Sequence, residues 1–104
     1  MKDRIKGYYE AVLNAEKIPA VPLVFCRVAK GGACVVYNAG MKPIEVQLDM
    51  NRCKDYEFAL LHEIAHLRML FSKGYPGHNA SFKKEEVRLN EKYMYSELSF
   101  KFRI

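Results

Sequence analysis

The residues best suited to chemistry are the three histidines of the chain, which all lie between positions 62 and 78. His62 and His66 belong to the stretch HEIAH, and the apolar residues around them recur with the period of a helix. Residues four apart on a helix differ in direction by only about 40°, so both imidazoles leave the same face, one turn apart. Two imidazoles placed in this way can bind one tetrahedral metal ion, with bonds of roughly 2 Å.

Glu63 directly follows the first of these histidines. Its side chain is rotated away from the metal position, but it can reach a water molecule beside that position. Two histidines and such a glutamate form the HExxH arrangement, in which the glutamate acts as general base. The arrangement needs a third protein ligand and keeps a fourth position for water or substrate.

His78 is the most direct candidate for the third ligand, because the glycine-rich turn at 74–77 lets the chain double back towards the metal position. The metzincin spacing would instead require a histidine at position 72 and a glycine at position 69. This chain has Ser72 and Met69 there, so that version of the motif is excluded.

A glutamate from the next predicted helix is the other common solution. Glu86 falls on an apolar stripe that includes Phe82 and Leu89, and Glu85 lies close to the same face. Either carboxylate could be the third ligand, or could orient a ligating histidine through a hydrogen bond. The spacing leaves these alternatives open.

A simpler interpretation is that the histidines are structural, since two histidines four residues apart often lie on a helix surface without binding a metal. Here, however, the pair lies on the most apolar helix of the chain. Burying two unpartnered histidines and a glutamate in such a helix would be costly. The pattern therefore favours a metal site.

The whole chain, residues 1–104, predicts a single α+β domain. The predicted elements are a helix at 3–17, strands at 22–28, 33–38 and 43–50, a buried helix at 54–72, a helix from Asn79 or Ser81 to about Tyr95, and a short terminal strand within ELSFKFRI. Short turns between the three strands predict an antiparallel meander. In the third strand Ile44, Val46, Leu48 and Met50 alternate with polar residues, which indicates one buried face. We expect this strand to form the sheet edge beside the cleft.

Composition restricts the location of the protein. No segment approaches the roughly 20 apolar residues of a membrane span, and the charged N-terminal stretch does not resemble a secretory signal. We therefore expect a cytoplasmic protein without membrane contact. Cys26, Cys34 and Cys53 have no CxxC spacing, so we interpret them as small buried hydrophobic residues.

A net charge of +5 is compatible with an acidic partner such as DNA. Lys84, Arg88 and Lys92 form a basic stripe on the last long helix, so a DNA-binding module with a structural zinc is a rival interpretation. Structural zinc sites are normally closed by four protein ligands, and the fourth ligand here would have to be a glutamate. Glu63 at the base position favours chemistry instead.

The stretch HEIAH, followed by GH and by a phenylalanine four residues after that histidine, resembles the core of SprT-like zinc metalloproteases, the group that includes Spartan. The resemblance implies a minimal zincin-like fold, zinc bound by His62, His66 and His78, and a catalytic Glu63. Family members act on proteins crosslinked to DNA. This chain differs in having Asn79 where the family often has glycine, and the paired cysteines of the zinc ribbon found in many members do not occur after Cys53.

A second resemblance is to the ImmA/IrrE-like metalloproteases, which cleave repressors. It would make Glu85 or Glu86 the third ligand instead of His78. Both resemblances imply a zinc metalloendopeptidase that hydrolyses peptide bonds in protein substrates. Tyr75, in the turn before His78, is a candidate donor to the oxyanion of that reaction.

Overall fold

Four helices and three strands form within residues 1–103, the part of the chain that the computed structural model describes. In chain order they are α1 (Lys2–Ala15), β1 (Leu23–Phe25), β2 (Ala33–Tyr37), β3 (Pro43–Leu48), α2 (Tyr56–Lys73), α3 (Ala80–Tyr93) and α4 (Glu97–Phe102). The α+β class is confirmed, and the first six elements begin and end within a few residues of the predicted positions. Within the described residues, no helix is long and apolar enough to cross a membrane.

The sheet is mixed, with the strand order β1-β3-β2, so the predicted antiparallel meander is wrong. A tight turn joins β2 to β3 as an antiparallel hairpin, and the Asn38 side chain accepts hydrogen bonds from the backbone of Gly40 and Lys42 within it. β1 pairs with the other side of β3 and runs parallel to it. The prediction that residues 43–50 form the sheet edge is therefore also wrong, because β3 is the central strand and β2 is an edge.

The two faces of β3 have different surroundings. Val46 and Leu48 are completely buried in the core cluster, together with side chains of α1 and α2. Glu45 and Gln47 point to the opposite face, where they hydrogen-bond to each other at 2.7 Å. The alternation expected for this strand is confirmed at these positions, although Ile44 at the start of the strand is exposed.

The three cysteines are free and half-buried, so the prediction that they are buried is wrong. Cys34 explains part of the difference, because it lies on the outer face of the sheet and donates to Gln47. Cys53 contacts the core and donates to the Gly32 carbonyl at 3.2 Å.

Helix α2 is the central element of the core. The Asp55 side chain caps its start by accepting a hydrogen bond from the Phe58 backbone at 2.9 Å, and Gly74 ends it in the left-handed conformation. Leu60 and Ile64 on this helix are completely buried. Because these apolar side chains are buried, α2 has a defined orientation. The residues on its other face therefore also point in a defined direction.

The predicted terminal strand is wrong, since its residues form α4. Its polar Ser99 is buried and donates to Glu57 of α2, whereas Phe100 is 75% exposed. Glu57 is itself buried and also accepts a hydrogen bond from Tyr8 of α1 at 3.1 Å. A helix places Ser99 against these partners, and this tertiary contact outweighs the strand-like alternation of the sequence. Ile104, the last residue of the predicted strand, lies outside the described residues.

Candidate metal centre

The three histidines meet at one point, as their spacing predicts. His62 and His66 project from the same face of α2, and the turn after the helix brings His78 back to them. The Nε2 atom of His78 lies 3.0 Å from that of His66 and 3.3 Å from that of His62. All three imidazole nitrogens lie within 4.8 Å of one another, which is close enough to bind a single metal ion.

The distances from the His78 nitrogen to the other two fit a tetrahedral ion. Ligands placed about 2.05 Å from a tetrahedral centre lie roughly 3.3 Å from one another, close to the observed distances. A shared proton can join two imidazole nitrogens, but it cannot join three of them at once. A cation satisfies all three lone pairs, so the residues present fit a metal ion.

Glu86 orients His62. Its carboxylate contacts the Nδ1 atom of His62, the nitrogen that faces away from the cluster. Because a carboxylate accepts hydrogen bonds, this contact leaves the proton of the ring on Nδ1 and the lone pair on Nε2. Of the roles that the sequence left open for Glu86, the structure has it as a hydrogen-bonding partner of a candidate ligand.

Glu85 points elsewhere. Its carboxylate binds Arg68 of α2 at 3.3 Å and Arg88 of α3 at 2.8 Å. The two neighbouring glutamates of α3 therefore have different partners. Only Glu86 contacts the histidine cluster.

Burial keeps His66 neutral. The side chain lies between α2 and α3 and is 9% exposed, and this burial, together with repulsion from the other two histidines, lowers its pKa to about 4. A neutral imidazole is the form that binds metal ions. His62 is half-buried and His78 is exposed, so the cluster opens to solvent on the side of the turn.

Glu63 is 5% exposed and lies beside the histidines. Burial raises the pKa of its carboxyl to about 7; the nearby His62 acts to lower this pKa, and the charge of Glu86 adds to the rise. A cation held by the histidines would favour the charged carboxylate and lower this pKa again. The pKa of Glu63 therefore lies in the range where general bases act, and it depends on the charges next to the carboxyl group.

A cleft of about 250 Å³ gives access to these groups. It is lined by His62, Glu63, His66 and His78, by Leu70 and Pro76, and by Ala33, Cys34, Val35 and Tyr37 of β2. The edge strand β2 therefore forms one wall of the cleft, a role that the sequence analysis gave to β3. Tyr75, the candidate oxyanion donor, is not among the lining residues, and its hydroxyl lies beside Gly77. A larger groove of about 510 Å³, between α1 and β1, contains none of these groups.

Two residues of the predicted basic stripe take part in a buried ion network. Glu16, at the end of α1, has a side chain that is only 4% exposed, and it binds Arg88 and Lys92 of α3. Arg68 of α2 binds the same carboxylate at 2.9 Å. Lys84 is exposed. A DNA contact through this stripe stays a prediction, but Arg88 and Lys92 already have a structural role.

Arg68 was not predicted from the sequence as a residue of this network. Its one signal in the sequence is that a lone cation within the most apolar helix needs a partner. The partners are Glu16 and Glu85, which come from two other helices, and spacing along the chain could not identify them.

Comparison with protein-family models, with curated proteins and with solved structures finds no match to this chain. The likeness to SprT-like metalloproteases therefore rests on the residues of the motif. The geometry of the histidine cluster is independent of that likeness.

Proposed function

We propose that the protein is a zinc-dependent metallopeptidase that hydrolyses peptide bonds in protein substrates. The observation that carries the proposal is the convergence of three imidazole Nε2 atoms next to a buried glutamate, in a cleft open to solvent. The resemblance to SprT-like enzymes assigns the same three histidines to zinc and the same glutamate to catalysis.

The residues of the site divide the chemistry between them. A zinc ion held by His62, His66 and His78 would supply Lewis acidity, which polarises a carbonyl group and lowers the pKa of water to about 7. Glu63 accepts a proton from the water molecule that adds to the peptide carbonyl. It then gives this proton to the leaving nitrogen as the C–N bond breaks, which yields a carboxylate and an amine.

The free edge of β2 supports an extended peptide as the substrate. An edge strand presents unpaired backbone groups, and a peptide can add to it as a further strand. Because β2 forms a wall of the cleft, a peptide bound in this way lies beside Glu63 and the histidines. Main-chain pairing of this kind is insensitive to most side chains, so unfolded segments of many proteins are suitable substrates.

A structural zinc module is the rival from another class. Such a site is normally closed by four protein ligands, whereas the cluster found among the described residues contains three. The open position favours the catalytic interpretation.

Substitution of Glu63 tests the proposal. Glu63→Gln keeps the size of the side chain but cannot accept the proton, so it should bind zinc and lose hydrolysis by a factor of roughly 10² or more. The assay follows cleavage of an unfolded protein, with and without DNA, alongside zinc content and melting temperature. Glu91→Gln, an exposed change on α3, is the matched control. Cleavage that is unchanged in Glu63→Gln excludes this residue as the base, and a parent protein that cleaves nothing under any condition contradicts the proposed activity.

A further inference from the structure

The ring of Phe82 contacts all three histidines of the cluster. Its centroid lies 5.1 Å from that of His62, 4.3 Å from that of His66 and 4.8 Å from that of His78. It stacks on His66 at an interplanar angle of 27° and meets the other two rings nearly edge to face. Phe82 is 1% exposed, so it closes the inner side of the cluster.

The start of α3 fixes the position of this ring. Asn79 caps the helix by accepting a hydrogen bond from the backbone N–H of Phe82 at 2.9 Å. His78 immediately precedes the cap. One capped turn therefore sets the exposed histidine and the buried ring relative to each other, and packing of the ring on His66 joins that turn to α2.

We propose that Phe82 is a positioning residue of the metal centre, whose ring holds the three imidazoles with their Nε2 atoms converging before an ion arrives. The inference rests on the proposed metal site and deepens it. His66 and His78 can otherwise rotate about two side-chain bonds, and ordering such a side chain on binding reduces affinity by roughly two- to tenfold. A single ring that restricts both imidazoles, beside the His62 ring that Glu86 also holds, removes much of this cost in the folded protein.

A residue that only packs in the core should respond differently to substitution. Leu89 lies on the same stripe of α3 and is completely buried, but it is a member of the core cluster with no aromatic ring to pack on the histidines. Truncating Leu89 should therefore lower stability and leave the affinity for metal unchanged. Replacing Phe82 should alter both.

The experiment compares Phe82→Leu with Leu89→Ala, using cobalt(II) as a spectroscopic substitute for zinc. Phe82→Leu keeps most of the apolar volume but loses the planar ring. We expect its cobalt and zinc affinities, measured by competition with a chelator, to fall at least about tenfold, and its visible cobalt spectrum at saturation to change. Leu89→Ala should keep the affinity and the spectrum of the parent. If Phe82→Leu lowers only the melting temperature, the inference is overturned.

A metal-free measurement separates this inference from the proposed function. Side-chain NMR of the metal-free parent should show one rotamer for each of the three histidines. Phe82→Leu should show averaging of His66 and His78, while Glu86 still holds His62. A parent that binds neither zinc nor cobalt refutes the metal site, and ordered His66 and His78 in metal-free Phe82→Leu refute the role of the ring. Phe82→Met, with an unbranched side chain that fills irregular space, provides the same comparison if the leucine variant does not fold.

Discussion

The carboxylate of Glu86 holds the Nδ1 atom of His62, which leaves the Nε2 atom of that ring directed at the other two histidines. A carboxylate in this position fixes the tautomer of the ring and makes it a stronger ligand. Two helices thus contribute to one candidate ligand, since α2 supplies the imidazole and α3 supplies the group that orients it.

Removing this carboxylate should weaken metal binding without removing a ligand. We expect Glu86→Ala to reduce zinc affinity by roughly 10–100-fold, the range known for such hydrogen-bonding partners. A titration against a chelator of known affinity measures the change, with Glu91→Gln as the control on the same helix. Equal zinc affinities in the parent and in Glu86→Ala would show that the contact between Glu86 and His62 has no role in metal binding.

Substitution of His78 distinguishes the two candidate third ligands. His78 is exposed, so His78→Ala should leave the melting temperature of the metal-free protein almost unchanged. Its zinc affinity should nevertheless fall further than that of Glu86→Ala, because a ligand and not its partner has been lost. Zinc content and affinity of the two variants provide the comparison. Full zinc retention in His78→Ala, together with loss in Glu86→Ala, would move the third-ligand role to the glutamate.

Acid should destabilise the fold through Glu16. Burial alone would raise the pKa of this carboxyl, but hydrogen bonds from Arg88, Tyr93 and Lys92 outweigh burial and lower the pKa from 4.5 to about 2. Between these values the unfolded chain binds a proton that the folded protein does not, so the stabilisation is complete above about pH 4.5 and is lost as the pH falls towards 2. The shift corresponds to on the order of 3 kcal/mol.

Denaturant unfolding of the metal-free protein between pH 6 and pH 2.5 measures this contribution. Glu16→Gln should be less stable than the parent at pH 6, and the difference should shrink as the pH falls. Glu10→Gln, an exposed change on the same helix, should follow the parent. A constant difference between Glu16→Gln and the parent across this range would contradict the assignment.

Substrate addition to the sheet should protect the backbone of β2. Amide hydrogen exchange of the zinc-loaded Glu63→Gln variant, which should bind substrate without cleaving it, should slow within Ala33–Tyr37 when an unfolded protein is added. The other edge strand, Leu23–Phe25, provides the internal control, because it lies on the far side of β3 from the cleft. Protection of β1 in place of β2 would place the substrate outside the cleft.

Local spacing predicts the histidine cluster because the features that form it are local. His62 and His66 share a helical face, and the glycine-rich turn returns His78 to that face. Of the two capping residues that the sequence left open, Asn79 and Ser81, the structure has Asn79. Each of these features depends on residues within one helix or one turn, where backbone geometry determines the outcome.

The features that the sequence did not reveal depend on distant contacts. Leu23 of β1 pairs in parallel with Val46 of β3, although β2 lies between these two strands in the sequence. No turn signal in the sequence specifies this pairing. The alternation of Leu98, Phe100 and Phe102 resembles a strand, yet a hydrogen bond from Ser99 to Glu57 determines which side of that segment is buried. Glu16 and Lys92 are separated by 76 residues and meet only in the folded chain.

The short stretch of chain that contains the ligands also has a consequence for how the protein folds. The longest loop between the candidate ligands, from His62 to His78, spans 16 residues, whereas the contact between Glu16 and Lys92 spans 76. Loop closure costs about 0.6 kcal/mol more for each doubling of length, so the pairing of α2 with α3 is less costly to close than the contact between the end of α1 and α3. This difference favours early pairing of α2 with α3, with α1 joining later. Early pairing of these two helices would bring the three histidines and Phe82 together without an ion, so the site would be assembled as part of folding.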